Sequence, residues 1–116
     1  MFSIFTETEA KLLPKSPIKR PGEIFRLVCC SPAKLGNGRN LMDIYSDIDF
    51  ELYKGHKIVK NIGNKKQNHP YVYSEFSLLA VDSVGYVAKY KCVVHVHHGP
   101  NFTSSTDVMI VDGKII

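Results

Sequence analysis

Nothing in the sequence is long and apolar enough to be a membrane span. A span takes about 20 consecutive apolar residues, and every hydrophobic stretch here is interrupted by charge or proline sooner. The opening MFSIFTETEAK has too short an apolar run and the wrong charge order for a secretory signal. Cysteine is scarce and odd in number: Cys29, Cys30 and Cys92. Adjacent cysteines on a strand point to opposite faces, so Cys29 and Cys30 make a poor disulfide pair. The expectation is therefore reduced, buried thiols in a cytoplasmic or nuclear protein that is not secreted. On that footing the sequon Asn101-Phe102-Thr103 carries no glycan. No H-E-x-x-H, C-x-x-C or G-x-S-x-G motif occurs, which removes the common signatures of zinc hydrolases, thiol redox enzymes and serine hydrolases. Internal repeats and low-complexity segments are missing as well.

What is present is enough for one compact unit. A chain of 116 residues has room for a single core, and an apolar share of 44% argues against a disordered chain. The net charge of +4 leans towards nucleic acid, anionic membrane or an acidic partner, and says nothing about fold.

The charge is unevenly placed. Residues 11–22, KLLPKSPIKRPG, hold Lys11, Lys15, Lys19 and Arg20 among Pro14, Pro17 and Pro21. Prolines so close together forbid a continuous helix and favour extended backbone. Thr6-Glu7-Thr8-Glu9 reads as a capping box opening a short helix. Residues 1–22 thus read as a basic N-terminal arm, or as an extension lying along the surface of a β-rich globular domain at 23–116.

From Glu23 the texture is that of strands. EIFRLVCC (23–30) suits a central strand, and SPAKLGNGRN (31–40) a loop. LMDIYSDIDFELY (41–53) alternates apolar and polar residues, which predicts one long half-buried strand. Lys54-Gly55-His56-Lys57 is a turn, with IVKNI (58–62) returning as a hairpin partner. Residues 71–84 fit a helix or a strand; the strand is favoured, with Asp82-Ser83-Val84-Gly85 as a hairpin turn. YVAKYKCVVHVHH (86–98) and DVMIVDGKII (107–116) supply further strands. The expected fold is mainly β, a small antiparallel barrel or sandwich of five to six strands with a short N-terminal helix or arm. A helix at 71–84 would instead give the element order of an OB-fold.

Three groups of side chains bear on function. The first is a basic surface: Lys54, Lys57, Lys60, Lys65 and Lys66 fall in a stretch without any acid, and Lys89 and Lys91 share a strand face. With Lys15, Lys19, Arg20 and the loop residue Arg39 they form the candidate set for nucleic-acid or anion binding. Tyr45, Tyr53, Tyr71 and Tyr73 are candidate stacking platforms. The second group is His95, His97 and His98. H-x-H on a strand puts two imidazoles on one face, a pair that could hold zinc with His98 as third ligand; no other cofactor is expected. A solvent-facing strand that merely carries histidines weighs more heavily, because a full ligand set is not visible. The third group, Asp43, Asp47, Asp49 and Glu51, reads as a wet row pairing with lysines, either Lys57 and Lys60 or Lys89 and Lys91.

A basic, proline-punctuated arm ahead of a compact β domain is a layout found in virion assembly proteins. The leading expectation is a non-enzymatic binding or self-assembling module, as in a viral structural or accessory protein, engaging nucleic acid, anionic membrane or its own copies. The alternatives are a metal-binding protein or metal-dependent enzyme centred on the histidines, and a protein–protein adaptor.

Overall fold

The structure, a computed structural model, describes residues 8–59 and 64–112. Alternation of side chains builds it. In β3 (Ile24–Cys30) Phe25, Leu27 and Cys29 are buried while Ile24 and Arg26 face out. In β7 (Tyr71–Leu79) Val72, Ser74, Phe76 and Leu78 point inward. In β8 (Val87–Val96) Ala88, Tyr90, Cys92, Val94 and Val96 do the same. Each strand has a dry face, and a second sheet is what covers it.

Nine strands among the described residues form two sheets. One runs β1-β3-β7-β6, with β1 (Lys11–Leu13) and β6 (Asn64–Asn68) at its edges. The other runs β2-β9-β8-β4-β5, built from β2 (Ile18–Lys19), β4 (Ile48–Lys54), β5 (Lys57–Ile58) and β9 (Asn101–Ile110) around β8. Every strand pair is antiparallel except β2 with β9. The core between the sheets holds Leu12, Leu27 and Phe76 from one side and Ile48, Leu52, Val94 and Val108 from the other. The mainly β sandwich expected from the sequence is the fold, with more strands than the five or six foreseen. Residues 71–79 are strand, so the OB-like order with a helix there is excluded.

The reduced-thiol expectation is overturned for two of the three cysteines. Cys29 on β3 and Cys92 on β8 are bonded through the core, their Cα atoms 6.3 Å apart and both fully buried. Proximity in sequence favoured weighing Cys29 against its neighbour, whereas its partner lies 63 residues away. Cys30 alone is free; it is buried, and burial pushes its thiol up to about 11.

The order β1-β3-β7-β6 over β2-β9-β8-β4-β5, with a bond from β3 to β8, is the arrangement of an immunoglobulin-type sandwich. Tyr90, two residues before Cys92, stands at the tyrosine-corner position of that fold. Burial, and secondly the Asp82 carboxylate, push its hydroxyl up to about 12. Antibody domains pack a tryptophan from the strand equivalent to β4 against the bond. This chain contains no tryptophan; Leu52, register partner of Cys92 and 1% exposed, occupies β4 there.

Two local expectations are corrected. Leu41–Asp47 is 3-10, kinked at Ile44, and the strand begins only at Ile48. Asn40 causes this: its side chain accepts the Met42 N–H at 2.9 Å, a local bond that competes with strand pairing. Asp82–Gly85 is no hairpin turn, because β7 and β8 belong to different sheets and the segment crosses between them. Gly85 takes φ +90° there and donates its N–H to the Ile110 carbonyl. The Lys54–Lys57 turn does join a hairpin, although its described return strand is only Lys57–Ile58.

The basic segment lies along the domain. β1 pairs with β3, β2 pairs with β9, and the stretch between them is stapled to β9. Leu12 donates its N–H to Ser104 Oγ at 2.9 Å. The buried Thr106 hydroxyl accepts from Ser16 N–H and donates to the Pro14 carbonyl, both at 2.9 Å. Thr6 and Glu7 lie outside the described residues, but the helix expected to follow them does not form: Thr8 is turn and Lys11–Leu13 is β1, held in the sheet by its pairing with β3. No helix of the described residues is long and apolar enough to cross a membrane.

Candidate interaction surface

Cross-strand register arranges the outward face of the five-stranded sheet in rows. At one end Ile18, Met109 and Val87 line up across β2, β9 and β8. All three are exposed, at 62%, 47% and 37%. Next come Asp107 and Lys89, in register and 3.9 Å apart. Ser105, Lys91, Tyr53 and Ile58 form the third row, with the Lys91 ammonium 5.4 Å from the centre of the Tyr53 ring. The fourth row is Thr103, Val93 and Glu51, and the last is Asn101, His95 and Asp49. The face therefore runs from apolar, through paired charge, to polar.

The expected basic set is dispersed over both sheets and the loops, and most of its described members find partners within the chain. Lys54 binds both carboxylate oxygens of Asp82, at 2.8 and 2.9 Å. Lys65 donates to the carbonyls of Ile48 and Tyr45, with its ammonium 4.6 Å from the centre of the Tyr45 ring. Lys66 and Arg26 both reach Glu75. Lys19 pairs with Glu23, whose carboxyl is lowered first by the hydrogen bond from the Arg20 backbone N–H. Lys15 donates to the Ser105 carbonyl and to Ser104 Oγ, and burial lowers its pKa. Arg20, Arg39 and Lys57 are exposed, and Lys60 lies outside the described residues. Lys57 and Lys66 sit on the edge strands β5 and β6, where lysine opposes pairing with a foreign strand.

The histidines separate. His95 remains on β8, its Nε2 against Glu51 Oε1 and its Nδ1 3.1 Å from Asn101 Oδ1. His97 and His98 are in the turn beyond the strand, their ring centroids 4.0 Å apart, with His98 at φ +58°. Among the described residues, no three His, Cys, Asp or Glu side chains come together as a metal site. The acidic row is likewise divided. Asp43 and Asp47 belong to the 3-10 segment, and only Asp49 and Glu51 lie on β4. Glu51 pairs with His95 rather than a lysine.

Sequence reasoning passed over the apolar row and the Asn101–His95–Glu51 chain. The first needs the parallel β2–β9 contact and the second the β4–β8 register, neither of which has a local signature. No protein-family model matches the sequence, and no curated protein matches it. Forty-eight chains of solved structures do match it. One, described as "Titin kinase and its flanking domains", superposes with a TM-score of 0.56 at 14% identity. The match covers 93% of this chain and 17% of that one. The likeness is one of fold.

Proposed function

We propose that the chain is a non-enzymatic binding and assembly module. Its working surface is the outward face of the five-stranded sheet, and its partner is another copy of the chain. The observation that carries this reading is the exposed row Ile18, Met109 and Val87 beside Lys89 and Asp107. Contiguous exposed apolar side chains mark contact surfaces, whereas scattered ones do not. A face that holds both charge signs beside an apolar row is self-complementary, which a two-fold interface requires.

The lysines favour a protein partner over nucleic acid or an anionic membrane. Binders of single strands leave aromatic rings open for stacking, and here Lys65 and Lys91 already lie over Tyr45 and Tyr53. A zinc site on His95, His97 and His98 draws little support, since Glu51 and Asn101 engage both ring nitrogens of His95. A viral structural role rests on the layout alone. A cytoplasmic or nuclear setting suits the Cys29–Cys92 bond poorly, because reducing compartments keep thiols free. Our reading is an oxidising setting, extracellular or lumenal.

Sedimentation velocity over a wide concentration range tests the assembly reading. Dimerisation is expected, lost in Val87→Glu/Met109→Glu and only modestly weakened by salt. A chain that stays monomeric, yet binds single-stranded RNA or anionic vesicles with a steep salt dependence, returns the surface to an electrostatic role.

A further inference from the structure

We propose that Asn101 is an N-glycosylation site. The inference rests on the oxidising-compartment reading, since the transferase works on the lumenal side of a membrane, where disulfides also form. Three observations support it. Asn101-Phe102-Thr103 is an acceptor sequon in sequence. Its two reactive residues are exposed on the same side of β9, and Phe102 between them packs against the core. Asn101 also opens its strand, directly after the turn that carries His97 and His98, so a large substituent there meets solvent.

The contacts of Asn101 fit the modification. Its Oδ1 is the atom that faces His95 Nδ1, and Nδ2, the other end of the carboxamide, has no partner among the described residues. In the transfer, Nδ2 attacks the anomeric carbon of a polyisoprenyl-diphosphate oligosaccharide. A C–N bond forms and the C–O bond to the diphosphate breaks. The lipid diphosphate leaves with the electron pair, and one amide proton passes to a base of the transferase. The product keeps Oδ1 and one N–H, so the contact with His95 survives.

Position then decides what the glycan does. Met109 lies eight residues beyond Asn101 on the same strand, about 27 Å away at the rise of an antiparallel strand. A glycan at Asn101 screens the row containing His95 and the histidine turn while leaving the apolar row open. It would confine contacts of this face to the end that carries Ile18, Val87 and Met109.

The test is the full chain carrying a secretory leader, expressed in eukaryotic cells. Wild type is expected to show a mobility shift removed by endoglycosidase. Asn101→Gln and Thr103→Ala should abolish that shift, and Thr103→Ser should keep it. Arg39→Thr, which turns exposed Asn37 into a second acceptor, provides the internal control by adding a further shift. Intact mass without reductant reads the Cys29–Cys92 bond in the same sample. A secreted chain with the bond formed and no glycan at Asn101 overturns this inference and leaves the compartment reading standing. A secreted chain with both thiols free sinks the compartment reading, and the site with it.

Discussion

The two faces of β8 share one backbone and almost nothing else. Inward, Ala88, Tyr90, Cys92, Val94 and Val96 are buried, and Cys92 is bonded to the opposite sheet. Outward, Lys89, Lys91 and His95 meet solvent and find partners on neighbouring strands: Asp107, Tyr53 and Glu51. Burial and covalent closure make the inner face the seat of stability. On the outer face water screens each pair, so the same number of contacts contributes far less. What the outer face offers instead is a pattern that another molecule can meet.

The comparison is broken most severely at the disulfide. Replacing both Cys29 and Cys92 by alanine frees a loop 63 residues long in the unfolded chain. The expected loss is about 4 kcal/mol on the chain-entropy account, read as a fall in the urea midpoint. A loss below about 1 kcal/mol would show that packing, not closure, holds the sheets together.

Leu52→Ala is next. Leu52 is register partner of Cys92 and essentially unexposed, so truncation leaves a cavity against the bond at a cost of about 3 kcal/mol. The check is thermal unfolding under oxidising conditions, so that the bond is intact in both proteins.

Tyr90 gives the inner face a dependence on pH. Its hydroxyl rises from 10.0 to about 12 and the Cys30 thiol from 9.0 to about 11, both chiefly through burial. Each group therefore holds its proton more tightly folded than unfolded. Their stabilising contribution is complete below pH 9 and disappears as pH rises through 11 and 12. At 1.36 kcal/mol per unit, the loss approaches about 2–3 kcal/mol for each group. Urea unfolding between pH 8 and pH 12 measures it, and Tyr90→Phe should remove the tyrosine share while leaving the rest. A flat profile to the alkaline end counts against Tyr90 being buried as described.

The outer face supplies the smallest effect. Lys89 and Asp107 are 76% and 51% exposed, so Lys89→Ala should change stability by less than about 0.5 kcal/mol. Under the assembly reading it weakens dimerisation all the same. A change in folding without a change in association would reverse the roles assigned to the two faces.

The alternation in YVAKYKCVVHVHH was legible because a strand with one wet face repeats every two residues. It correctly turned Cys92, Val94 and Val96 away from His95. The same rule misled at Leu41–Asp47, where Met42 and Ile44 mimic a strand within a 3-10 segment. Asn40 followed by Asp43 was the available signal, a cap and a first-turn acid. The basic stretch 54–66 was legible as composition only. Which lysine meets Asp82, Glu75 or a tyrosine ring depends on strands far apart in sequence, and composition cannot supply that.

By itself, the sequence determined that the chain is mainly β, that β8 has one dry face, and that Asn101 is a formal acceptor. Those properties are local: they depend on residue type, a period of two, or three consecutive positions. Only the tertiary structure decided that Cys29 meets Cys92, that the basic proline-rich stretch edges both sheets, and that Ile18 joins Met109 and Val87 in one row. Each of these is a contact between distant positions, fixed by strand order and register. A disulfide needs two Cβ atoms within reach of each other, and strand register brings them there.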